Sequence, residues 1–174
     1  MNPFAALAAG RAAWALCGAL ASGLAGCSTP VTTYAPAQLL PVPAARRPAG
    51  VLRFADSRLC QGLGTEWDSA LVVVAYKEPA FIRSLPVDNY WAVRGAVADQ
   101  EYNEGTATLL FVKEGRYTAY CVFSRLVDWV GFVNAEAPAT QVAWLTPRNC
   151  GRLSATGRRD ADGTTSHGVR PSPP

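Results

Sequence analysis

Few residues of this chain can do acid–base or nucleophilic chemistry. The only histidine, His167, lies near the C-terminus in a segment that we expect to be disordered, so a Ser-His-Asp or Cys-His arrangement has no imidazole within the predicted fold. The carboxylates form two groups in hydrophilic stretches, Glu66 with Asp68, and Asp99 with Glu101 and Glu104. Such groups are more often solvated surface than tuned acid pairs. Phosphate and dinucleotide motifs are absent from the sequence. We therefore expect no catalysis, no cofactor, no metal and no small-molecule substrate.

The residue with the clearest chemistry is Cys27. It follows Arg11, an apolar run broken only by glycine and serine, and the small pair Ala25-Gly26, which is the pattern of a secretory signal. The run is too short and too rich in glycine for a spanning helix, which needs about 20 apolar residues. Leu24-Ala25-Gly26-Cys27 resembles the lipobox of bacterial lipoproteins. An ordinary signal with an incidental cysteine is the alternative.

The lipobox resemblance implies that residues 1–26 are removed as a signal peptide. Cys27 then carries a diacylglyceryl group on its sulfur and an acyl chain on its new amino group. Each buried methylene contributes about 0.8 kcal/mol, so two or three chains anchor a protein firmly. In bacterial lipoproteins an aspartate directly after the lipidated cysteine marks the protein for retention in the inner membrane. This chain has Ser28 at that position, so the resemblance implies an outer-membrane location facing the periplasm.

The other cysteines of the mature chain are Cys60, Cys121 and Cys150. Three is odd, so at most one disulfide forms within the chain and one thiol is left. Cys121 lies in an apolar run and is a candidate for burial as a small hydrophobic residue. We favour pairing of Cys60 with Cys150, with the other pairings left open. Metal binding is the weaker alternative, because no CxxC spacing or histidine accompanies these residues.

Length and charge narrow the class of protein. Without residues 1–26 about 150 residues remain, a length at which one hydrophobic core normally forms. The formal net charge is +3, but residues 51–147 carry eight basic and eleven acidic residues. That balance argues against nucleic acid as a partner, since phosphate binding needs a clustered basic face. The basic residues of the linker and tail leave contact with anionic headgroups as an alternative to solvated disorder.

Three regions follow the signal. Residues 27–50 contain the lipidated cysteine and five prolines, which predict an extended tether of several tens of ångströms. Residues 51–151 form the folded domain. Residues 152–174 are poor in apolar side chains and are predicted to be disordered.

The folded domain is predicted to be an antiparallel β-sandwich. One helical turn is expected at residues 80–85. The clearest hairpin joins 106–112 to 117–123 through a glycine-containing turn. The remaining predicted strands cover residues 51–55, 69–76, 89–97, 128–134 and 140–145.

Trp67 stands out among the aromatic residues. It lies between Glu66 and Asp68 in the glycine-punctuated loop that follows Cys60, whereas Trp91, Trp129 and Trp144 lie on predicted strands. An aromatic residue in such a loop either folds back onto the domain or contacts a partner. Both interpretations remain open.

Taken in order, residues 51–145 resemble the TssJ family, the outer-membrane lipoproteins of type VI secretion systems. The matching positions are the apolar strand Leu71 to Tyr76, Phe81, Tyr90-Trp91, Glu114-Gly115, Trp129 to Val133, and Trp144. The chain departs from the family pattern at Glu78, Glu114, Asn134 and Leu145.

The resemblance implies an immunoglobulin-like (transthyretin-like) sandwich with one short helical insertion. It also implies a scaffold role in which the protein binds the periplasmic part of an inner-membrane subunit of the TssM type. The family's partner-binding loop corresponds here to Gln61, Gly62, Leu63, Gly64, Thr65, Glu66, Trp67 and Asp68. The alternative is a periplasmic β-sandwich lipoprotein of another class, such as an immunity or inhibitor protein that captures a secreted toxin.

Overall fold

The computed structural model describes residues 30–40, 51–61, 67–77, 79–124, 126–137, 139–140, 142–159, 161 and 163–172. The predicted signal peptide, Cys27 and the loop residues Gly62 to Glu66 lie outside the described residues.

Two β-sheets form the body of the molecule. The larger sheet has the order β1-β5-β4-β3-β7, and the smaller has the order β2-β8-β9-β6. The strands are β1 Thr32–Tyr34, β2 Val51–Arg53, β3 Ser69–Val74, β4 Thr106–Lys113, β5 Arg116–Ser124, β6 Val127–Asp128, β7 Val142–Leu145, β8 Leu153–Arg159 and β9 Thr165–Pro171. Most pairs are antiparallel, but β1 runs parallel to β5, and β6 runs parallel to β9. The prediction of a wholly antiparallel sandwich is therefore wrong at these two pairs.

The larger sheet is covered on both faces. One face packs against the smaller sheet in a cluster that includes Val72, Leu109, Phe123 and Val169. The other face packs against helices α3 (Pro79–Ser84) and α4 (Arg94–Tyr102). Leu71 of β3 is buried on this face in one cluster with apolar residues of both helices. Burial on both faces explains why β3 is continuously apolar instead of alternating. The predicted β3, the hairpin β4–β5 and the helical turn α3 are confirmed.

Two stretches that we predicted as strands are helical. Residues 89–97 form a 3₁₀ turn, Tyr90–Ala92, and the start of α4, whose buried residues Ala96, Val97 and Gln100 follow helical spacing. Residues 128–134 contribute to α5 (Val130–Glu136), whose buried residues Phe132 and Val133 lie beside the buried N-cap residue Trp129. In both cases aromatic and β-branched side chains suggested a strand, and packing on one helical face decided otherwise.

The prediction of a single short helical insertion is also wrong, because the structure has more helices than one. The described residues contain three further short helices, α1 (Pro36–Leu39), α2 (Arg58–Gln61) and α6 (Pro147–Cys150), besides a second 3₁₀ turn at Phe54–Asp56. These segments bury Leu39, Phe54 and Leu59 in the cluster that also holds Val72 and Val169. Each is a single turn that is stabilised by packing, because isolated helices of this length are unstable.

The predicted disorder of residues 152–174 is wrong for the described part of that segment. β8 and β9 form an antiparallel hairpin with seven paired positions, Leu153 with Pro171 through Arg159 with Thr165. Leu153, Ala155 and Val169 point into the core, where they are at most 2% exposed. A strand needs an apolar residue only at alternate positions, so this hairpin packs on an existing core with little apolar content.

The predicted tether is wrong for residues 30–40. β1 adds to the edge of β5 in the register Thr32–Ala119 to Tyr34–Cys121. The Tyr34 ring packs edge-on against Phe111 with ring centroids 6.1 Å apart. Leu39 and Leu40 are buried. The prolines of this segment border the ordered pieces, since Pro36 is the first residue of α1, where a missing N–H costs nothing.

Candidate functional site

A disulfide joins Cys60 and Cys150, the pair favoured from the sequence. The Cα atoms are 5.5 Å apart, within the range of native disulfides, and the bond connects α2 to α6 across 90 residues of sequence. α6 is itself fixed by Thr146, whose hydroxyl accepts a hydrogen bond from the Asn149 N–H while the Asn149 side chain accepts one from the Thr146 N–H. The disulfide therefore fixes the residue that directly precedes the predicted partner-binding loop.

The described residues of that loop are Gln61, Trp67 and Asp68. Gln61 ends α2 and is exposed, and its side-chain amide donates to the Ala55 carbonyl at 3.4 Å. Trp67 is only 6% exposed and packs edge-on against Phe111 at 5.8 Å between ring centroids. The structure thus answers the open question about Trp67: its side chain belongs to the core, and its assignment as a partner-contacting residue is wrong.

Asp68 connects the loop to the β4–β5 turn. Its backbone N–H donates to the Val112 carbonyl at 2.9 Å, and its carboxylate accepts from the Glu114 N–H at 2.6 Å. Glu114 and Gly115 have positive φ angles of 50° and 72°, so their N–H groups are positioned by a turn that favours glycine. One carboxylate oxygen of Asp68 thus has a structural role within the fold.

These contacts define two ends of the molecule. The hairpin end holds the β4–β5 turn, the start of β3 and Asp68. The opposite end holds the last residues of β3 and β5 and the first residues of β4, because β4 runs antiparallel to both neighbours. β5 has nine residues, which separate the two ends by about 25–30 Å. The predicted loop begins and ends at or near the hairpin end.

His167 lies within the fold, contrary to the prediction that the fold holds no imidazole. It is 5% exposed on β9, its backbone N–H donates to the Leu126 carbonyl, and its Nδ1 has no hydrogen-bond partner among the described residues. The carboxylates considered for acid–base chemistry do not form a buried pair in the described residues: Asp99 and Glu104 are exposed, and Glu101 is half-buried. The described residues contain no cluster of His, Cys, Asp and Glu suited to a metal ion.

Two buried groups stay protonated at neutral pH and are therefore unreactive. Cys121 is fully buried, as predicted, and burial raises the pKa of its thiol to about 12, so it remains protonated at neutral pH. Burial, with a smaller contribution from Tyr90, raises the pKa of Tyr117 to about 12 as well. Neither group is a nucleophile under physiological conditions.

A cleft of about 280 Å³ opens at the end of the molecule opposite the hairpin, and sequence reasoning missed it. We call this end, with its cleft, the cleft end. Its lining comes from the last residues of β3 and β5, the first residues of β4, both residues of β6 and the start of α5. Ser166 of β9 and residues of the adjoining turns complete it. Two carboxylates, Glu104 and Asp128, lie in this lining, and none of its described residues is Lys or Arg. No sequence motif marks the cleft, because its residues are spread over nearly 100 positions of the chain.

One exposed apolar side chain lines this cleft, and three others lie within two positions of lining residues in the sequence. Val130 belongs to the lining and is 45% exposed. Tyr76 and Leu126 directly follow or precede lining residues, and Tyr102 lies two residues before Glu104; Tyr102 is 82% exposed. Val130 is thus the one residue among the seven exposed large apolar side chains of the described residues that lines the cleft itself.

Among the residues that the structure describes, no helix has both the length and the apolar content required to cross a bilayer. Comparison of the chain with protein-family models, with curated proteins and with solved structures gives no match.

Proposed function

We propose that this chain is a lipid-anchored, non-catalytic protein that faces the periplasm from the outer membrane and binds a partner protein there. The observation that carries the proposal is the lipobox cysteine Cys27, placed only five residues before the first strand of a disulfide-bonded β domain.

The disulfide supports the proposed compartment. A bond between Cys60 and Cys150 persists in an oxidising environment such as the periplasm, and it is rare in the cytosol. The same compartment is the destination that the lipobox implies. Two features, one in the sequence and one in the fold, therefore both favour the proposed compartment.

The more specific form of the proposal follows from the sequence resemblance. The protein is then an outer-membrane lipoprotein of a type VI secretion system, with an immunoglobulin-like sandwich, and its partner is the periplasmic domain of a TssM-type inner-membrane subunit. Two packed β-sheets are compatible with a sandwich, and the parallel pairs β1–β5 and β6–β9 depart from a wholly antiparallel one.

The test is direct binding between purified proteins. The mature chain is immobilised, and the periplasmic domain of the TssM-type subunit from the same genome is applied at increasing concentration. Saturable binding supports the specific proposal. Failure to bind that domain, with tight binding to a small secreted toxin instead, would replace it by the immunity or inhibitor alternative.

The loop is tested separately. Replacing residues 62–66 by a glycine-serine segment of equal length spares Trp67 and Asp68, which have roles in the fold. The resemblance predicts loss of binding in this variant with an unchanged melting temperature. Unchanged binding would remove the loop from the proposal while leaving the anchor intact.

A further inference from the structure

The outer face of the smaller sheet collects arginine residues at one end. Leu153 and Ala155 of β8 point into the core, so Ser154 between them points outward. Ser154 pairs with Arg53 on β2 and with Arg170 on β9, and paired residues of neighbouring strands lie on the same face of a sheet. Both arginines therefore flank Ser154 on the outer face, each about 5 Å from it between Cα atoms.

A third arginine extends this group. Arg152 lies two positions before Ser154, and its carbonyl accepts a hydrogen bond from the Ser172 N–H at 2.6 Å, which continues the β8–β9 ladder by one pair. The alternation of the strand places Arg152 on the same face as Ser154, about 7 Å away along the chain. Arg53, Arg152 and Arg170 are all exposed. We call these three residues, with Ser154 between them, the arginine face.

Little negative charge accompanies the arginine face. The strands β2, β8 and β9 contain no acidic residue. Asp128 of β6 lies on the same outer face, because it pairs with Gly168, and it shares a groove with Arg158 and Arg170. Arg158 already has an interaction, so we leave it out of the count. Three arginines and one aspartate then give this part of the surface a net charge of +2.

The arginine face lies at the open end of the β8–β9 hairpin. Five positions, or about 17 Å of strand, separate Ser154 from Arg159, where the turn of the hairpin begins. The two aspartates of that turn, Asp160 and Asp162, lie outside the described residues. We therefore restrict the count of charges to the open end, which is remote from this turn.

The remainder of the outer face is flat. Its centre is made of small residues, Ser154, Thr156, Ser166 and Gly168. Arginine side chains rise above such a floor, and a guanidinium group binds phosphate oxygens through two parallel hydrogen bonds. The stem of Arg170 is supported by packing beside Gly131 of α5. A flat sheet face with several separate arginines suits an extended surface of phosphate groups better than one small ligand.

The proposed anchor brings such a surface within reach. Cys27 lies four residues before Val31, which packs against the core at the start of β1, and four residues span at most about 14 Å. Packed sheets are about 10 Å apart. A chain that leaves the larger sheet at Val31 is therefore long enough to bring Cys27 to the level of the smaller sheet and beyond it. The bilayer that holds the lipid can then lie against the arginine face.

We propose that the arginine face rests on the phosphate groups of anionic phospholipids in the membrane that holds the anchor. This inference rests on the proposed function for the lipid and the location. The acyl chains supply the affinity for the membrane, and the arginine face fixes the orientation of the domain on it. Helices α3 and α4, which cover the opposite face of the larger sheet, then point away from the bilayer and toward a partner in the periplasm.

The contact is tested without the lipid. The mature chain carrying Cys27→Ser is sedimented with phosphatidylcholine vesicles that contain or lack phosphatidylglycerol. We expect binding to the anionic vesicles, and binding about 100-fold weaker in R53Q/R152Q/R170Q, since each basic residue near an anionic membrane contributes about a factor of five. The matched control R83Q/R94Q/R116Q removes three exposed arginines of α3, α4 and β5 and should bind within about threefold of the parent chain, because distant charges are screened.

Three outcomes would overturn the proposal. The first is no binding to anionic vesicles, and the second is equal weakening in the two triple variants, which would mean that binding follows net charge alone. The third is binding of polyglutamate in place of vesicles, which would assign the arginine face to an acidic protein. The assay needs no anchor. Vesicle binding through the arginine face in a protein whose Cys27 proves unmodified in cells would therefore refute the proposed function and leave this inference standing.

The orientation is tested on the lipidated protein in nanodiscs that contain phosphatidylglycerol and spin-labelled headgroups. A fluorophore is attached at Thr156→Cys, on the outer face of the smaller sheet, or at Ala98→Cys, at the matched exposed position on α4. We expect strong quenching at position 156 and little at position 98. Equal quenching at both positions, or stronger quenching at position 98, would show that the arginine face does not lie on the bilayer.

Discussion

The disulfide between Cys60 and Cys150 should supply a large share of the stability of the domain. The perturbation is the double variant C60A/C150A, which removes the crosslink and changes little volume at the buried Cys150. The crosslink closes a loop of about 90 residues, for which the chain-entropy relation gives about 4–5 kcal/mol at 25 °C. A domain of this size has a total free energy of unfolding of about 5–15 kcal/mol. Loss of the disulfide therefore removes about a quarter or more of that stability.

The assay is urea unfolding followed by tryptophan fluorescence, since Trp129 and Trp67 are buried and report on the core. We expect C60A/C150A to lose about 3–5 kcal/mol relative to the oxidised wild type. Treating the wild type with a reductant should reproduce the loss, and the same treatment should not affect the variant. A loss below about 1 kcal/mol in the variant would refute the reasoning, because it would mean that the packing of α2 and α6 holds the two ends together without the bond.

Three further predictions concern the core and the packing of single residues. Trp67→Ala should cost about 3–5 kcal/mol in the same assay, whereas Trp91→Ala, at a site 59% exposed, should change stability by less than about 0.5 kcal/mol; equal effects would contradict the burial of Trp67. Gly131→Ala should lower the free energy of unfolding by about 1–3 kcal/mol, because the added Cβ would lie 2.9 Å from a backbone carbonyl oxygen of β9. At Gly95 an added Cβ meets no atom within 4 Å, so Gly95→Ala should stabilise α4 by up to about 1 kcal/mol. The Cys121 thiol should resist a thiol reagent at pH 8 until the protein is unfolded, and a thiol that reacts in the folded protein would contradict its burial. The free energy of unfolding should also fall as pH rises from about 9 to about 12, because the thiol of Cys121 loses its proton at lower pH in the unfolded chain than in the folded protein.

The sequence predicted well the elements whose pattern is local. The apolar run of β3 and the hairpin β4–β5, with its Glu114-Gly115 turn, have β-type composition and a turn residue suited to positive φ, and they fold as expected. The favoured disulfide pair is joined because α2 and α6, at the two ends of the predicted domain, pack against each other.

Elements that depend on tertiary contacts were predicted poorly. The stretch Trp129 to Val133 has β-branched and aromatic composition, yet its buried residues match one face of a helix that packs on β9. The β8–β9 hairpin buries so few apolar side chains that its composition resembles that of a disordered tail. β1 is held by pairing with the edge of β5 and by the packing of Tyr34 on Phe111, which no local pattern of residues 32–34 encodes.

The candidate site divides in the same way. The favoured partner of the disulfide, Cys60, was identified from its position in the sequence, whereas the role of Cys27 stays a prediction from its context. Trp67 has an ambiguous context, and only the position of Phe111 on β4 decides that it is buried. The cleft could not be predicted from the sequence, since its lining residues come together only when β3, β4, β5 and β6 assemble.

The central claim is that Cys27 carries the lipid that anchors this protein. The most direct measurement is mass spectrometry of the N-terminal peptide from protein extracted from membranes. We expect a chain that begins at Cys27, with diacylglyceryl on sulfur and an acyl group on the amino nitrogen, and a Cys27→Ser variant that leaves the membrane fraction with the same melting temperature. An unmodified Cys27, or a mature chain that begins at another residue, would contradict the account.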